Sequence, residues 1–458
     1  MLGNLLKPEC EELIRKKDYA ALRETFAFMD AADISEIIED LPPEDSGILF
    51  RLLPRDKAAE TFEYLPLEQQ SELISALGTE QLVNLLNEMA ADDRTRLLEE
   101  LPAEVTRRAL RTLTPDELKI ARQLLGYPEK SAGRFMTPEY LAIRPEMTAA
   151  EALEAIRGRG KDIDSLNVIF VSDEKGFLID DVRLSSLVLA DPQMRVSDIK
   201  DRPLVSIPAT ATREEFISLF EKYDRVVLPV TDSSGILVGI ITADDVLDAA
   251  EEEATEDIQR LGGMEALENS YLGTSMLELV RKRGGWLTIL FMGQMLTASA
   301  MTRYQVQLES SAFLAIFIPL ILSSGGNSGS QATSLIIRAL AVRDLELGDW
   351  WRVAVRELGS GFLLGLFLGI LGLLRVVLWP EADVAYGPAF RMVGVTVGCS
   401  VLSVVIFGTL AGSMLPFLLR RFGLDPATAS APFVSTLVDV AGVTLYFTVA
   451  TLLLANLG

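Results

Sequence analysis

One carboxylate, Asp439, stands inside an apolar run near the end of the chain, in Pro432-Phe-Val-Ser-Thr-Leu-Val-Asp-Val-Ala-Gly442. Facing lipid it would cost at least about 2.5 kcal/mol, so it must face protein or a water-filled path. Ser435 and Thr436 precede it by four and three residues, so Ser435 and Asp439, with Thr436 beside them, share one face of a helix. A stripe of that kind can line an ion path; a structural hydrogen bond to another helix is the alternative. A second polar run, Ser323-Ser-Gly-Gly-Asn-Ser-Gly-Ser-Gln331, interrupts another apolar stretch. Its glycines allow close helix contact or an opened backbone, and Asn327 and Gln331, four apart, can both point inward. The third concentration is acidic: Asp244, Asp245, Asp248, Glu251, Glu252, Glu253, Glu256 and Asp257 put eight carboxylates into fourteen residues. Along one helix they repel. Either they form a solvated face, or cations neutralise them against a second acidic surface. Oxygen ligands select hard ions such as magnesium or calcium.

The rest of the composition narrows the chemistry. There is no histidine, and the two cysteines, Cys10 and Cys399, lie in different halves of the chain. Imidazole zinc sites, histidine-based triads and disulfide scaffolds are excluded, and no nucleophile constellation suggests an enzyme. Of the 458 residues, 1–280 hold 30 basic and 56 acidic side chains, whereas 281–458 hold 12 basic and 9 acidic. An acidic body is thus joined to an apolar, slightly basic tail, and nucleic acid is not an expected partner. No signal peptide opens the chain, so the acidic body is expected in the cytoplasm.

The elements that must position these groups can be read from periodicity. Leu41, Leu53, Leu65, Leu77, Met89, Leu101 and Leu113 recur every twelve residues, each followed three positions later by an acid: Glu44, Asp56, Glu68, Glu80, Asp92, Glu104 and Asp116. Pro42, Pro54, Pro66 and Pro102 follow their leucines and suit helix starts, where the acid meets unpaired N–H groups. Short helices of this kind must stack, so residues 1–128 are expected to form an all-α helical solenoid. An imperfect repeat of 59 residues follows: VIFVSDEKG at 168–176 and VLPVTDSSG at 227–235, each preceded by a helical pattern. The pattern predicts a pair of α/β modules over 129–254, then a connecting helix over 255–280. The last part, 281–458, is expected to cross a membrane five times, at about 285–301, 312–334, 358–379, 390–419 and 432–456. Nine arginines and lysines on one set of flanks against two or three on the other place the amino terminus inside and the carboxy terminus outside.

Met136-Thr-Pro138, Gly235-Ile-Leu-Val-Gly239 and 242–246 make the α/β pair resemble cystathionine-β-synthase-type (CBS) domains. That resemblance implies adenine-nucleotide binding, with ATP as a regulatory ligand. Thr242 and Asp245 stand at the family's ribose-contact spacing, with helix capping as the other reading. The first module carries Asp180-Asp181 and Arg183-Leu-Ser-Ser186 in place of that pattern.

Over nearly its full length the chain resembles the MgtE family of magnesium channels. The marks are Gly325-Gly-Asn-Ser-Gly-Ser-Gln331, Ile336-Ile-Arg-Ala-Leu340, Leu415-Pro-Phe-Leu-Leu-Arg-Arg421, Asp425-Pro426 and Thr436-Leu-Val-Asp439. The resemblance implies a homodimer with the pore on its two-fold axis in the inner membrane. Asp439, Ser435 and Asn327 would line that pore. Regulatory Mg2+ on Asp92, Asp244, Asp245, Asp248, Glu256 and Asp257 would hold a connecting plug helix shut. Ala431 stands where the family often has Asn. The competing readings are a secondary divalent-cation transporter and a non-transporting, membrane-anchored Mg2+ receptor.

Overall fold

The twelve-residue period becomes helices that start twelve residues apart. After α1 (Leu2–Lys16), α2 (Tyr19–Ala27) and α3 (Ala31–Glu39) come α4 (Pro43–Phe50), α5 (Arg55–Glu63), α6 (Leu67–Ala76), α7 (Thr79–Glu88), α8 (Ala91–Glu100), α9 (Ala103–Leu110) and α10 (Pro115–Leu124). In this computed structural model the described residues are 2–39, 41–77, 79–101, 103–160, 163, 165–199, 202–267, 271–310 and 313–454. Pro102, Ala312, residues 455–456 and the side chains of Glu44, Asp56, Glu68, Glu80 and Glu104 lie outside them. Pro42, Pro54 and Pro66 occupy the residue before each helix rather than its first turn. Helices pack on the second neighbour, α1 on α3, α3 on α5, α5 on α7 and α7 on α9. The leading residues Leu41, Leu65, Leu77, Met89, Leu101 and Leu113 form a buried seam between them.

A polar side chain closes several corners of this stack, and periodicity alone did not reveal it. Gln70 Nε2 donates to the carbonyls of Phe62 and Leu65, both at 2.9 Å. Arg94 Nη1 donates to those of Leu86 and Met89 at 3.0 and 3.2 Å. Ser46 Oγ does the same toward Ile38 and Leu41. Each adds a donor to carbonyls at the end of the preceding helix.

The α/β pair follows. After α11 (Ala132–Phe135), the first module holds β1 (Ala142–Ile143), α12 (Ala149–Arg159), β2 (Val168–Ser172), β3 (Leu178–Arg183) and α13 (Leu184–Leu189). The second holds β4 (Ile207–Pro208), α14 (Arg213–Tyr223), β5 (Val227–Thr231), β6 (Leu237–Thr242) and α15 (Ala243–Leu261). Each sheet has one parallel and one antiparallel pairing, in the orders β1-β2-β3 and β4-β5-β6. The polar turns are alike. Asp173 and Asp232 each accept two backbone N–H bonds, and Gly176 and Gly235 take φ +84°, a conformation that costs glycine nothing. The modules pair through those same turns, Leu178 N to Gly235 O and Leu237 N to Gly176 O.

The single connecting helix expected over 255–280 is instead two helices. α15 stops at Gly262-Gly263, where Gly263 adopts φ +75°, and α16 (Met276–Arg303) starts fresh on the Ser275 cap. The chain divides into two compact units, Met1–Glu253 and Ala254–Gly458. The second continues through α17 (Gln305–Ser310), α18 (Phe313–Ala341), α19 (Trp350–Val377), α20 (Ala382–Tyr386), α21 (Phe390–Arg421) and α22 (Ala431–Leu454). α18, α19, α21 and α22 are long and apolar enough to cross a membrane. α16 is as long, but Gln294 and several hydroxyl residues dilute its apolar character.

The run 323–331 does not break α18. Its glycines let α21 approach instead. A Cβ on Gly408 would collide with the carbonyl of Gly325, and one on Gly412 with that of Gly329. Gly412→Val should therefore force these helices apart, at a cost of about 1–3 kcal/mol or more. The expected result is loss of the monodisperse peak in detergent gel filtration. Gly359→Val should leave that peak intact, because a Cβ there meets nothing within 4 Å.

Candidate functional sites

α18 has two polar faces with different work. On the buried one, Ser328 Oγ and Thr409 Oγ1 share a hydrogen bond of 2.8 Å, and Thr333 Oγ1 donates to Gly412 O at 2.9 Å. Those groups hold α21. The other face carries Ser323, Asn327, Gln331 and Ser334, all exposed. Asn327 Nδ2 reaches Ser323 Oγ at 3.5 Å. An open groove of about 460 Å³ runs past Ser330, Gln331, Ser334 and Leu335. Beside it lies α22. Ser330 Oγ donates to Ala431 O at 3.1 Å and shares a 3.2 Å contact with Ser435 Oγ. Gly326 makes room for that contact, since a Cβ there would sit 3.3 Å from Ser435 Oγ. One turn further along α22, Asp439 is half-buried, and its Oδ2 accepts from Gln294 Nε2 of α16 at 2.8 Å. Ser435 thus lies against Gly326 and Ser330 of α18, next in sequence to Asn327 and Gln331 of the stripe, and Asp439, one turn on, bonds Gln294. No motif flagged Gln294; its signal was an amide within the apolar stretch of α16.

The acidic candidates are placed in different settings. Asp92, in the first turn of α8, has an Oδ1 that is buried and unpartnered among the described residues. Burial, then the like charges of Asp245 and Asp93, push its carboxyl well above the usual carboxylate range. Asp245 is pushed up to about 7 by burial, against the opposing bonds from Thr242 and with Asp244 and Asp93 adding repulsion. These two carboxylates are short of positive charge. The chemistry fits a hard cation: oxygen donors only, one of them orphaned and dry. Asp93 was missed by the period-twelve reading, which selected one acid per repeat.

Asp248 is placed differently. Arg96 Nη1 bonds it at 3.1 Å and reaches Glu252 with the other nitrogen. Arg213, 3 % exposed, takes Glu252 at 3.1 Å and Glu253 as well. Guanidiniums, not solvent, therefore neutralise much of this face. Asp244 is exposed, and Asp257 is half-buried. Glu256 pairs with Arg260 at 3.2 Å. Among the described residues no three acids converge as a metal cluster.

Thr242 and Asp245, the suggested nucleotide pair, bond each other. Thr242 Oγ1 and N donate to Asp245 Oδ2 at 2.6 and 3.2 Å, a cap at the start of α15. In the first module Asp181 is 1 % exposed and its Oδ2 is taken by Arg202 and Arg225 at 2.7 and 3.0 Å. Asp181 stands at the register position that Ile240 holds in the second module, and Asp180 at that of Gly239.

Family models match four stretches. Residues 29–130 match the MgtE intracellular N domain, 132–190 and 196–252 match CBS domains, and 318–449 match the divalent cation transporter model MgtE. The chain is 44% identical over 331 residues to the magnesium transporter MgtE of Thermus thermophilus, covering 72% of each. It is 30% identical over 332 residues to the magnesium transporter MgtE of Enterococcus faecalis, covering 72% of this chain and 71% of that one. Among solved structures it is similar to the cytosolic domain of the Mg2+ channel MgtE in complex with ATP, with TM-score 0.51 and 36% identity over 53% of this chain and 99% of that one. An acidic helical repeat, a CBS pair and apolar helices that carry an acid among hydroxyls thus meet in one assignment: the chain belongs to the MgtE family of magnesium transporters.

Proposed function

We propose that the protein is a passive, magnesium-selective channel of the inner membrane, closed by cytoplasmic Mg2+. The observation that carries this reading is the exposed polar stripe of α18, packed through Ser330 on the helix that carries Ser435 and Asp439. Amide and hydroxyl groups on a membrane-crossing helix need water or a second copy of themselves. A homodimer whose two-fold axis runs along this stripe satisfies them and lines a wet passage with two Asp439 carboxylates. Mg2+ sheds water reluctantly, so carboxylates and hydroxyls that read a partly hydrated ion suit it. α16 is counted as the first of five spans, with the carboxy terminus outside. Gln294 is then satisfied by Asp439 rather than by lipid.

Regulation belongs to the acidic body. Asp92 and Asp245 would hold a regulatory Mg2+, with the neighbouring Asp93 and Asp244 adding charge; Asp257, twelve residues beyond Asp245, would act apart from them. Asp248 and Glu256 enter only by exchanging their arginine partners. A bound cation favours the closed state only by its preference for it, and a hundredfold preference supplies about 2.7 kcal/mol. ATP binding in the CBS pair is supported by the ATP complex of the similar cytosolic domain; Thr242 and Asp245 are the residues proposed for it.

Reconstituted full-length protein tests the reading. Discrete single-channel currents carried by Mg2+, and suppressed by millimolar Mg2+ on the cytoplasmic side, are expected. Slow, saturating uptake coupled to a second ion would favour the secondary transporter. No flux at all would favour the receptor. The dimer axis is tested with Asn327→Cys in a background lacking Cys10 and Cys399, where oxidation should give a disulfide-linked dimer.

A further inference from the structure

α15 ends against the turn from which the pore-lining helix starts. Arg260, in its last turn, spans two carboxylates. One nitrogen bonds Glu256 of its own helix at 3.2 Å, and the other bonds Asp425 Oδ2, 165 residues away. Asp425 is shared as well. Its Oδ1 accepts from Ala427 N at 2.8 Å and so caps the short turn Pro426–Thr428. That turn packs on the end of α15: Leu261 lies against a buried cluster of Ile337, Ala427 and Ala429. Next comes Ser430, whose Oγ accepts from Trp286 Nε1 at 3.1 Å and from Phe433 N at 3.4 Å. α22 begins at Ala431 and carries Asp439 just over two turns further on, at about 3.6 residues per turn.

We propose that Arg260 is the positioning residue that fastens α15 to the pore helix, its guanidinium joining Glu256 to Asp425. The proposal rests on the gated-channel reading above. Three features favour a coupler over an idle surface pair. The fork engages two acids at once, which fixes direction as well as distance. Both Arg260 and Asp425 are about two-thirds buried, at 31 and 32 % side-chain exposure. Asp425 also shapes the first residues before α22, so a pull on its carboxylate reaches the backbone of the pore helix directly. A cation at Glu256 would compete with Arg260 for the same oxygens, which connects this contact to metal on the cytoplasmic side.

The test is a double-mutant cycle on the full-length protein in proteoliposomes, with Mg2+ uptake followed as cytoplasmic-side Mg2+ is titrated. Asp425→Asn keeps an oxygen for Ala427 N and removes the charge. Arg260→Gln removes the fork. Each should move the half-inhibitory Mg2+ concentration by about tenfold while maximal uptake at low Mg2+ stays within twofold of native, as expected for a partly exposed charge-assisted pair. The double variant should move it no further than either single one. Arg260→Lys, which keeps the charge on a single point, should recover part of the shift. Additive single effects, or an unchanged midpoint in both single variants, would overturn the coupling while leaving the channel reading intact. Loss of maximal uptake in proportion to loss of folded protein would reduce Arg260 to a structural tie. A native protein indifferent to cytoplasmic-side Mg2+ would remove the gate itself, and the latch with it.

Discussion

Asp439→Asn lowers Mg2+ uptake into proteoliposomes by at least about 100-fold, with the protein still folded and membrane-inserted. The amide keeps an oxygen for Gln294 Nε2, so the tie between α16 and α22 survives the substitution. What is lost is charge. Two unit charges about 4 Å apart attract by about 4 kcal/mol at an effective dielectric of 20, and a hundredfold loss corresponds to only about 2.7 kcal/mol. In a dimer the change removes both carboxylates from the passage at once. Uptake by radioactive or dye-reported Mg2+ measures the effect, and gel filtration in detergent checks the fold. Ser435→Ala should act more weakly, because Ser330 still has Ala431 O to bond. Native uptake by Asp439→Asn would place the ion path elsewhere.

The second large effect concerns stability, and its sign is unusual. Asp245→Asn should stabilise the metal-free protein and abolish its stabilisation by Mg2+. The asparagine oxygen can keep both bonds from Thr242, while the repulsion from Asp244, Asp93 and Asp92 disappears. Relief of about 1–2 kcal/mol raises the melting temperature of a unit this size by about 2–8 °C in chelator. Native protein at Mg2+ a hundredfold above its dissociation constant should gain about 2.7 kcal/mol, and the variant little of that. Thermal unfolding with and without Mg2+ reads both halves of the claim. A lower melting temperature in chelator would mean that Asp245 is not repelled. A full Mg2+ response would mean that it is not a ligand. Asp248→Asn is a control with a different expectation: it removes an ion pair with Arg96 and should destabilise slightly, by about 0–1 kcal/mol.

Much of the architecture was legible because it is periodic. Twelve-residue spacing of apolar residues can bury itself only as stacked short helices, and helix starts at 43, 55, 67, 79, 91, 103 and 115 follow that spacing. The two strand–turn runs declared themselves through Asp173 and Asp232 ahead of Gly176 and Gly235, because that turn chemistry is local. The connecting segment was less legible. Its acidic helical pattern continues past 258, but two successive glycines end the helix, and charge density along a helix says nothing about where its backbone stops.

The division of labour within α18 shows the limit most clearly. Composition alone established that 323–331 is polar and glycine-rich inside an apolar helix. It could not say which groups hold a neighbour and which face outward. Packing decided that. Gly325, Ser328 and Gly329 meet α21, and Ser323, Asn327 and Gln331 are left exposed. The same holds for the acids. By itself the sequence determined that the amino-terminal body is acidic, that the tail is apolar and that Asp439 needs a wet or paired setting. Only the tertiary structure decided that Arg96, Arg213 and Arg260 neutralise Asp248, Glu252, Glu253 and Glu256, while Asp92 and Asp245 are left half-buried and short of positive charge. Charge is a property of each residue, but its neutralisation depends on partners that lie from 4 to more than 150 positions away.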